Sequence, residues 1–168
     1  MRFTLLLILL VATKAGASDD EHIKLIEGMW KCPIDIQLDH LRMRGESIDT
    51  YDAVNMRYYS EAIITFIYGD RHPIAKIKAT DLGVWQYHEQ NLLGESAKVK
   101  IEVLFDYDGL FSDETIEYMR MEILNDSVPV LTLDIDQSNW QLFDPETREE
   151  FSCSKTRLVS DTSKANQA

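Results

Sequence analysis

The sequence predicts a mainly β protein: an antiparallel, eight-stranded up-and-down barrel with one short N-terminal helix and a second helix near residues 113–124. Three observations carry this expectation. Apolar residues alternate with polar ones through segment after segment, which is the period of a half-buried strand. Those segments are short, closely spaced and bounded by turn residues, as in an all-β barrel or sandwich. The two cysteines, Cys32 and Cys153, fall on the first and the last of them. A bridge between them requires those strands to be neighbours. In a meander the first and last strands meet when the sheet closes, and a two-sheet sandwich is the other arrangement that brings them together.

Residues 1–17 read as a cleavable secretory signal. Arg2 supplies the positive start, Leu5 to Ala12 the apolar run, and Ala15-Gly16-Ala17 a small-residue cleavage site after Ala17. The run is far short of the roughly 20 residues that span a bilayer, and no other segment comes close. The expectation is a periplasmic or secreted protein with no transmembrane segment, its single β-barrel domain covering 18–158 and a polar, disordered tail at 159–168.

Along that domain, Ser18-Asp19-Asp20-Glu21 caps a short helix with an apolar side of Ile23, Leu25 and Ile26, ended by Gly28. Trp30, Cys32, Ile34, Ile36 and Leu38 then alternate with polar residues and with Pro33, giving the first strand. Residues 39–53 are polar and irregular, contain Gly45, and read as a loop. From Asn55 to Tyr68 runs an aromatic and β-branched strand in which Ala62, Ile64, Phe66 and Tyr68 share a face. Ile74 to Thr80 forms the next strand, and Asp81-Leu82-Gly83 breaks it. Trp85 and Tyr87 share a face of a short strand that follows, and Asn91 to Gly94 makes a turn. Lys98 to Asp106 alternates most regularly, with Val99, Ile101, Val103 and Phe105 facing inward.

Ser112 or Asp113 can cap a helix reaching about Leu124. Ile116, Met119 and Ile123 fit helical spacing, while Met119, Met121 and Ile123 fit a strand equally well. Leu131, Leu133 and Ile135, then Trp140 and Leu142, then Phe151 and Cys153 mark the last three strands, with Pro145 to Arg148 as a turn.

The chain carries 17 basic and 29 acidic residues, a net charge of −12. Loss of the segment before Ser18 takes away Arg2 and Lys14 and no acid, which moves the charge to about −14. Such a field repels nucleic acid and anionic lipid surfaces and attracts cations and basic proteins. Two cysteines in an exported chain invite a disulfide. Neither has zinc-site neighbours, and there is no C-x-x-C pair.

Gly28-Met29-Trp30, after a short helix and opening the first strand, resembles the G-x-W motif of lipocalins. GMWKC near the start, GVW followed by NLL in the middle, and FSCSKTR at the end resemble small exported bacterial lipocalin-like proteins. The resemblance spreads over most of residues 22–157 and rests on few positions. It implies a calycin-type barrel with a helix outside, enclosing a small apolar ligand. It also implies that Trp30 closes the barrel base with Lys155 or Arg157 beside it, both in structural roles. The polar segment 39–53 and the acidic balance depart from that pattern and leave the ligand's identity open.

No sequence signature of catalysis appears. G-x-S-x-G, a P-loop and a dinucleotide fingerprint are absent, and the four histidines are scattered without ligand spacing. Asp106-Tyr107-Asp108-Gly109 begins like a calcium loop, but Leu104 and Thr115 stand where that spacing demands acids. The expectation is therefore a non-catalytic binding protein with no cofactor and no metal. It would hold a small apolar or amphipathic ligand, with Trp85, Tyr87, Phe66 and Tyr68 as candidate wall residues. Those aromatics are equally ordinary core. The alternative is an acidic periplasmic inhibitor or immunity protein that covers a basic secreted enzyme through charge complementarity.

Overall fold

The computed structural model describes residues 18–69, 72–127 and 129–156. The expected signal at 1–17, Arg157 and the tail at 159–168 lie outside the described residues. The chain forms α1 (Asp19–Ile26), β1 (Gly28–Leu38), β2 (Leu41–Asp52), β3 (Arg57–Tyr68), β4 (Pro73–His88) and β5 (Asn91–Asp106). Then follow α2 (Asp113–Asn125), β6 (Val130–Ile135), β7 (Asn139–Asp144) and β8 (Glu149–Lys155). Each strand pairs antiparallel with the next, and β8 pairs with β1, so the eight strands close a barrel. The expected architecture of eight up-and-down strands and two helices is the one found. Among the described residues no helix is long and apolar enough to cross a membrane.

Three local expectations are corrected, and the first two errors offset in the strand count. The polar stretch expected to be a loop at 39–53 is the strand β2, paired along its whole length with β1 and β3. Its polar side chains hid it: Ser47 and Asp49 stand at inward positions where an apolar residue was expected. Conversely, the two short strands expected on either side of Asp81-Leu82-Gly83 are the single 16-residue β4. Asp81 continues the inward row through Ala75, Ile77, Ala79, Gly83, Trp85 and Tyr87. The turn after β4 is Glu89-Gln90, both with positive φ, rather than Asn91 to Gly94. Two positive φ values in a two-residue hairpin turn match the twist of the flanking strands, and neither residue is the glycine or asparagine that usually announces it.

One end of the barrel is sealed by aromatic packing. Trp30 is fully buried, lies 5.4 Å edge-on from Trp140, and donates its indole N–H to Ile26 O at 2.7 Å. Lys155 donates to Leu25 O at 2.7 Å with its Nζ 4.9 Å from the centre of a Trp30 ring. Gly28 has φ 117°, and a Cβ there would meet Lys155 Cε at 3.0 Å, so a side chain would both strain the backbone and displace the lysine.

Among the described residues the closing seam is short, with Trp30↔Lys155 and Lys31↔Ser154 paired between β1 and β8. The next facing pair is Cys32 and Cys153, joined as a disulfide with Cα atoms 4.3 Å apart and 121 residues of separation. In the chain-entropy account, closing a loop of that size stabilises the fold by about 4–5 kcal/mol. The bridge thus reinforces a short seam of the hydrogen-bonded ring. A second apolar cluster, Phe66, Ala75 and Ile77, packs with Leu110, Phe111 and Met119 from the α2 region.

Candidate ligand-binding cavity

Strand register brings polar side chains together inside the barrel. Trp30, Asp49, Ser60, Asp81 and Val99 are successive partners across β1 to β5. Asp49 and Asp81 are therefore two strand spacings apart, roughly 10 Å between backbones, with Ser60 between them. Ser60 Oγ donates to Asp49 Oδ1 at 2.5 Å, and Ser47 Oγ donates to Asp49 Oδ2 at 2.9 Å. Asp81 Oδ2 accepts from Tyr58 Oη at 2.6 Å and from Ser96 Oγ at 2.8 Å. Among the described residues Asp81 Oδ1 is buried with no hydrogen-bond partner.

Two glycines place Tyr58. A Cβ on Gly83 would lie 2.0 Å from Glu95 O and 2.9 Å from the Tyr58 ring. A Cβ on Gly94 would lie 3.5 Å from the same ring. The ring rests on backbone that carries no side chain, and its hydroxyl is thereby aimed at Asp81.

Burial dominates the electrostatics. It holds the Asp49 carboxyl above the ordinary carboxylate range; the two serine hydrogen bonds oppose this, and the charge of Asp81 adds to it. Burial also holds the Tyr51 hydroxyl above the ordinary phenol range, with Asp49 adding to it. Tyr58 moves the same way, through burial first and then its bond to Asp81.

These groups border an inner cavity of about 250 Å³, together with Tyr51, Trp85, Leu92 and, on the far side, Ile123 and Asp126 of the α2 end. A larger cleft of about 670 Å³ lies between β1–β2 and β7–β8, walled by Ile34, Ile36, Trp140, Leu142 and Phe151. Asp49, Tyr51, Leu92 and Val130 border both. Among the described residues the wall between β5 and β6 has two paired positions, Asn91↔Leu131 and Leu92↔Val130, and α2 packs along β5 beyond them.

No known family model matches this chain. No curated protein matches it either. Its residues and their geometry therefore carry the functional reading.

The four aromatics expected to form one wall are not brought together. Trp85, 2% exposed, borders the inner cavity and donates its indole N–H to Asp52 O at 3.2 Å. Tyr87 is buried near α1, with its hydroxyl 2.9 Å from His22 Nδ1. Phe66 belongs to the second apolar cluster, 5.0 Å edge-on from Phe111. Tyr68 is 46% exposed and faces His40 across 6.1 Å. Trp30 and Lys155 lie together at the sealed end of the barrel, with the Lys155 Nζ 4.9 Å from the centre of a Trp30 ring. Asp106 accepts from the backbone N–H groups of Leu110 and Phe111, so the segment resembling a calcium loop is a strand-ending turn. Among the described residues no group of three or more histidines, cysteines or acids is placed to hold a metal ion.

Sequence reasoning missed Asp49, Ser60, Asp81 and Ser96 as cavity residues. One signal was present for Asp81: the period of two runs unbroken from Ala75 to Tyr87 if an inward acid is allowed.

Proposed function

We propose that the protein is an exported, non-catalytic carrier that holds a small apolar or amphipathic molecule inside its barrel. The observation that supports this is the pair of adjoining cavities, about 250 and 670 Å³, sharing Tyr51 as a common wall. Small-molecule sites fall in this range of size and combine apolar walls with a few placed polar groups. Ile34, Ile36, Leu142 and Phe151 would bury the apolar body of a ligand, at about 25 cal/mol per Å² removed from water. The carboxylates and hydroxyls of the inner cavity would orient its polar end. The G-x-W opening, with Trp30 and Lys155 at the base, accords with the lipocalin resemblance and leaves the lumen above it free for cargo.

Titration with the neutral fluorophore N-phenyl-1-naphthylamine tests this reading. Saturable emission enhancement at one site per chain is expected, weakened roughly tenfold or more when Ile36→Trp fills the larger cleft. The outward Leu104→Trp is expected to leave it unchanged, since Leu104 is exposed. Absence of saturable binding, or equal binding by Ile36→Trp with native circular dichroism, would overturn the proposal.

A further inference from the structure

We propose that the inner cavity selects an organic cation, so that the cargo is an amphipathic molecule with an ammonium-type head and an apolar or aromatic body. This deepens the carrier reading and rests on it.

Charge comes first. Asp49 and Asp81 border the inner cavity, and among the described residues no lysine, arginine or histidine does. A lumen built for an anionic or wholly apolar molecule would place its polar groups differently, because carboxylates buried in a cavity wall without a cation beside them are costly. An unmet need comes second. Asp81 Oδ2 takes two hydrogen bonds, whereas Asp81 Oδ1 is buried beside it with none. Every hydroxyl bonded to Asp49 and Asp81 already donates to one of them: Ser47 and Ser60 to Asp49, Tyr58 and Ser96 to Asp81. An incoming N⁺–H donor would satisfy the bare oxygen with a charge-assisted bond.

Aromatic rings complete the setting. Tyr51 lies 5.5 Å edge-on from Trp85 and 6.4 Å from Tyr58, so three aromatic rings border the same small volume. Ring faces attract cations, and more strongly where water is excluded. Acids with an aromatic surround suit an organic cation better than a metal ion, for which three or more close ligating side chains are lacking among the described residues. Burial keeps the Asp49 carboxyl above its ordinary range. A bound cation would draw it back down.

Isothermal titration calorimetry on the disulfide-intact protein tests the inference with three probes of similar shape: 2-phenylethylammonium, neutral 3-phenyl-1-propanol and anionic 3-phenylpropanoate. The ammonium is expected to bind roughly tenfold or more tighter than the alcohol, with the carboxylate weakest. Asp81→Asn and Asp49→Asn are each expected to remove most of that preference while keeping the alcohol's affinity. Glu102→Gln, an exposed acid on the outer face of β5, is expected to change neither. Equal binding of ammonium and alcohol, or an ammonium preference that survives both aspartate variants, overturns cation selection and leaves the carrier proposal standing. Binding of none of the three also overturns it, and the naphthylamine titration then decides separately whether the barrel carries anything.

Discussion

Asp49 is an inward residue of β2 whose charge works against the fold. Its carboxyl lies among Ser47, Ser60, Tyr51 and Asp81, and burial raises its pKa. An acid whose folded pKa is raised binds its proton more tightly in the native state than in the unfolded chain. The stability this gives is fully present below the unfolded value, about 3.9, and is lost as pH rises through the folded value. At neutral pH the ionised Asp49 is therefore a net burden, with Asp81, Tyr51 and Tyr58 as its ionisable neighbours. Asp49→Asn keeps an oxygen to accept from a serine and removes the charge. It is expected to stabilise the protein at pH 7 by on the order of 1 kcal/mol, with the gain shrinking as pH falls through the folded value and gone below about pH 4. Urea unfolding of both proteins across that range checks the sign; an Asp49→Asn variant less stable than the parent at pH 7 would show that the carboxylate is structurally needed. The same residue explains what sequence reasoning missed. Ser47, Asp49, Ser60 and Asp81 occupy positions that alternation reserves for apolar side chains, so the stretches around them on β2 and β4 read as a loop and a break. Such conflicts between local pattern and fold concentrate at functional sites.

Elements were legible where their burial is one-sided. β1 and the Lys98–Asp106 part of β5 alternate because one face packs inside and the other meets water. β2 was not, since its inward row mixes Met43, Gly45, Ser47, Asp49 and Tyr51. The β4–β5 turn was missed for a different reason: Glu89 and Gln90 adopt positive φ without a glycine, with Asp19 Oδ2 of α1 accepting from the Glu89 N–H at 3.4 Å. Helix α2 was ambiguous on its apolar spacing, and its structure shows why the pattern is weak. None of its side chains is fully buried, its last turn has no basic residue, and Asp126 follows at the C-terminal end, where the helix dipole disfavours an acid. Its firm local anchor is Ser112, which accepts from Thr115 N–H at 3.1 Å. Because α2 borders the inner cavity where β5 and β6 barely pair, it is the wall expected to open most readily. Hydrogen exchange should be roughly tenfold or more faster in α2 than in the centre of β3 and β4. Ser112→Ala, costing about 1 kcal/mol of helix stability, should accelerate it further. Protection of α2 equal to that of β4 would contradict this placement of the weak point.

At the scale of the whole molecule, barrel closure was legible from the two cysteines more than from any strand. Cys32 and Cys153 come from the first and last strands and meet one step beyond a two-pair ladder. What could not be read was whether the closed barrel is filled. That depends on which end each aromatic occupies and on how strands of 6 to 16 residues stagger around the ring. Short β6, β7 and β8 stand beside long β4 and β5, and the resulting gaps are lined by Tyr51, Trp85 and the two aspartates rather than filled by them. The central claim is that this interior holds a small molecule. Native mass spectrometry of the protein, recovered without denaturation from its natural source, tests it most directly. One extra small-molecule mass per chain is expected, lost on denaturation and carrying an ammonium-type group. A chain that consistently flies bare, or one bound instead to a second, basic polypeptide, would contradict it.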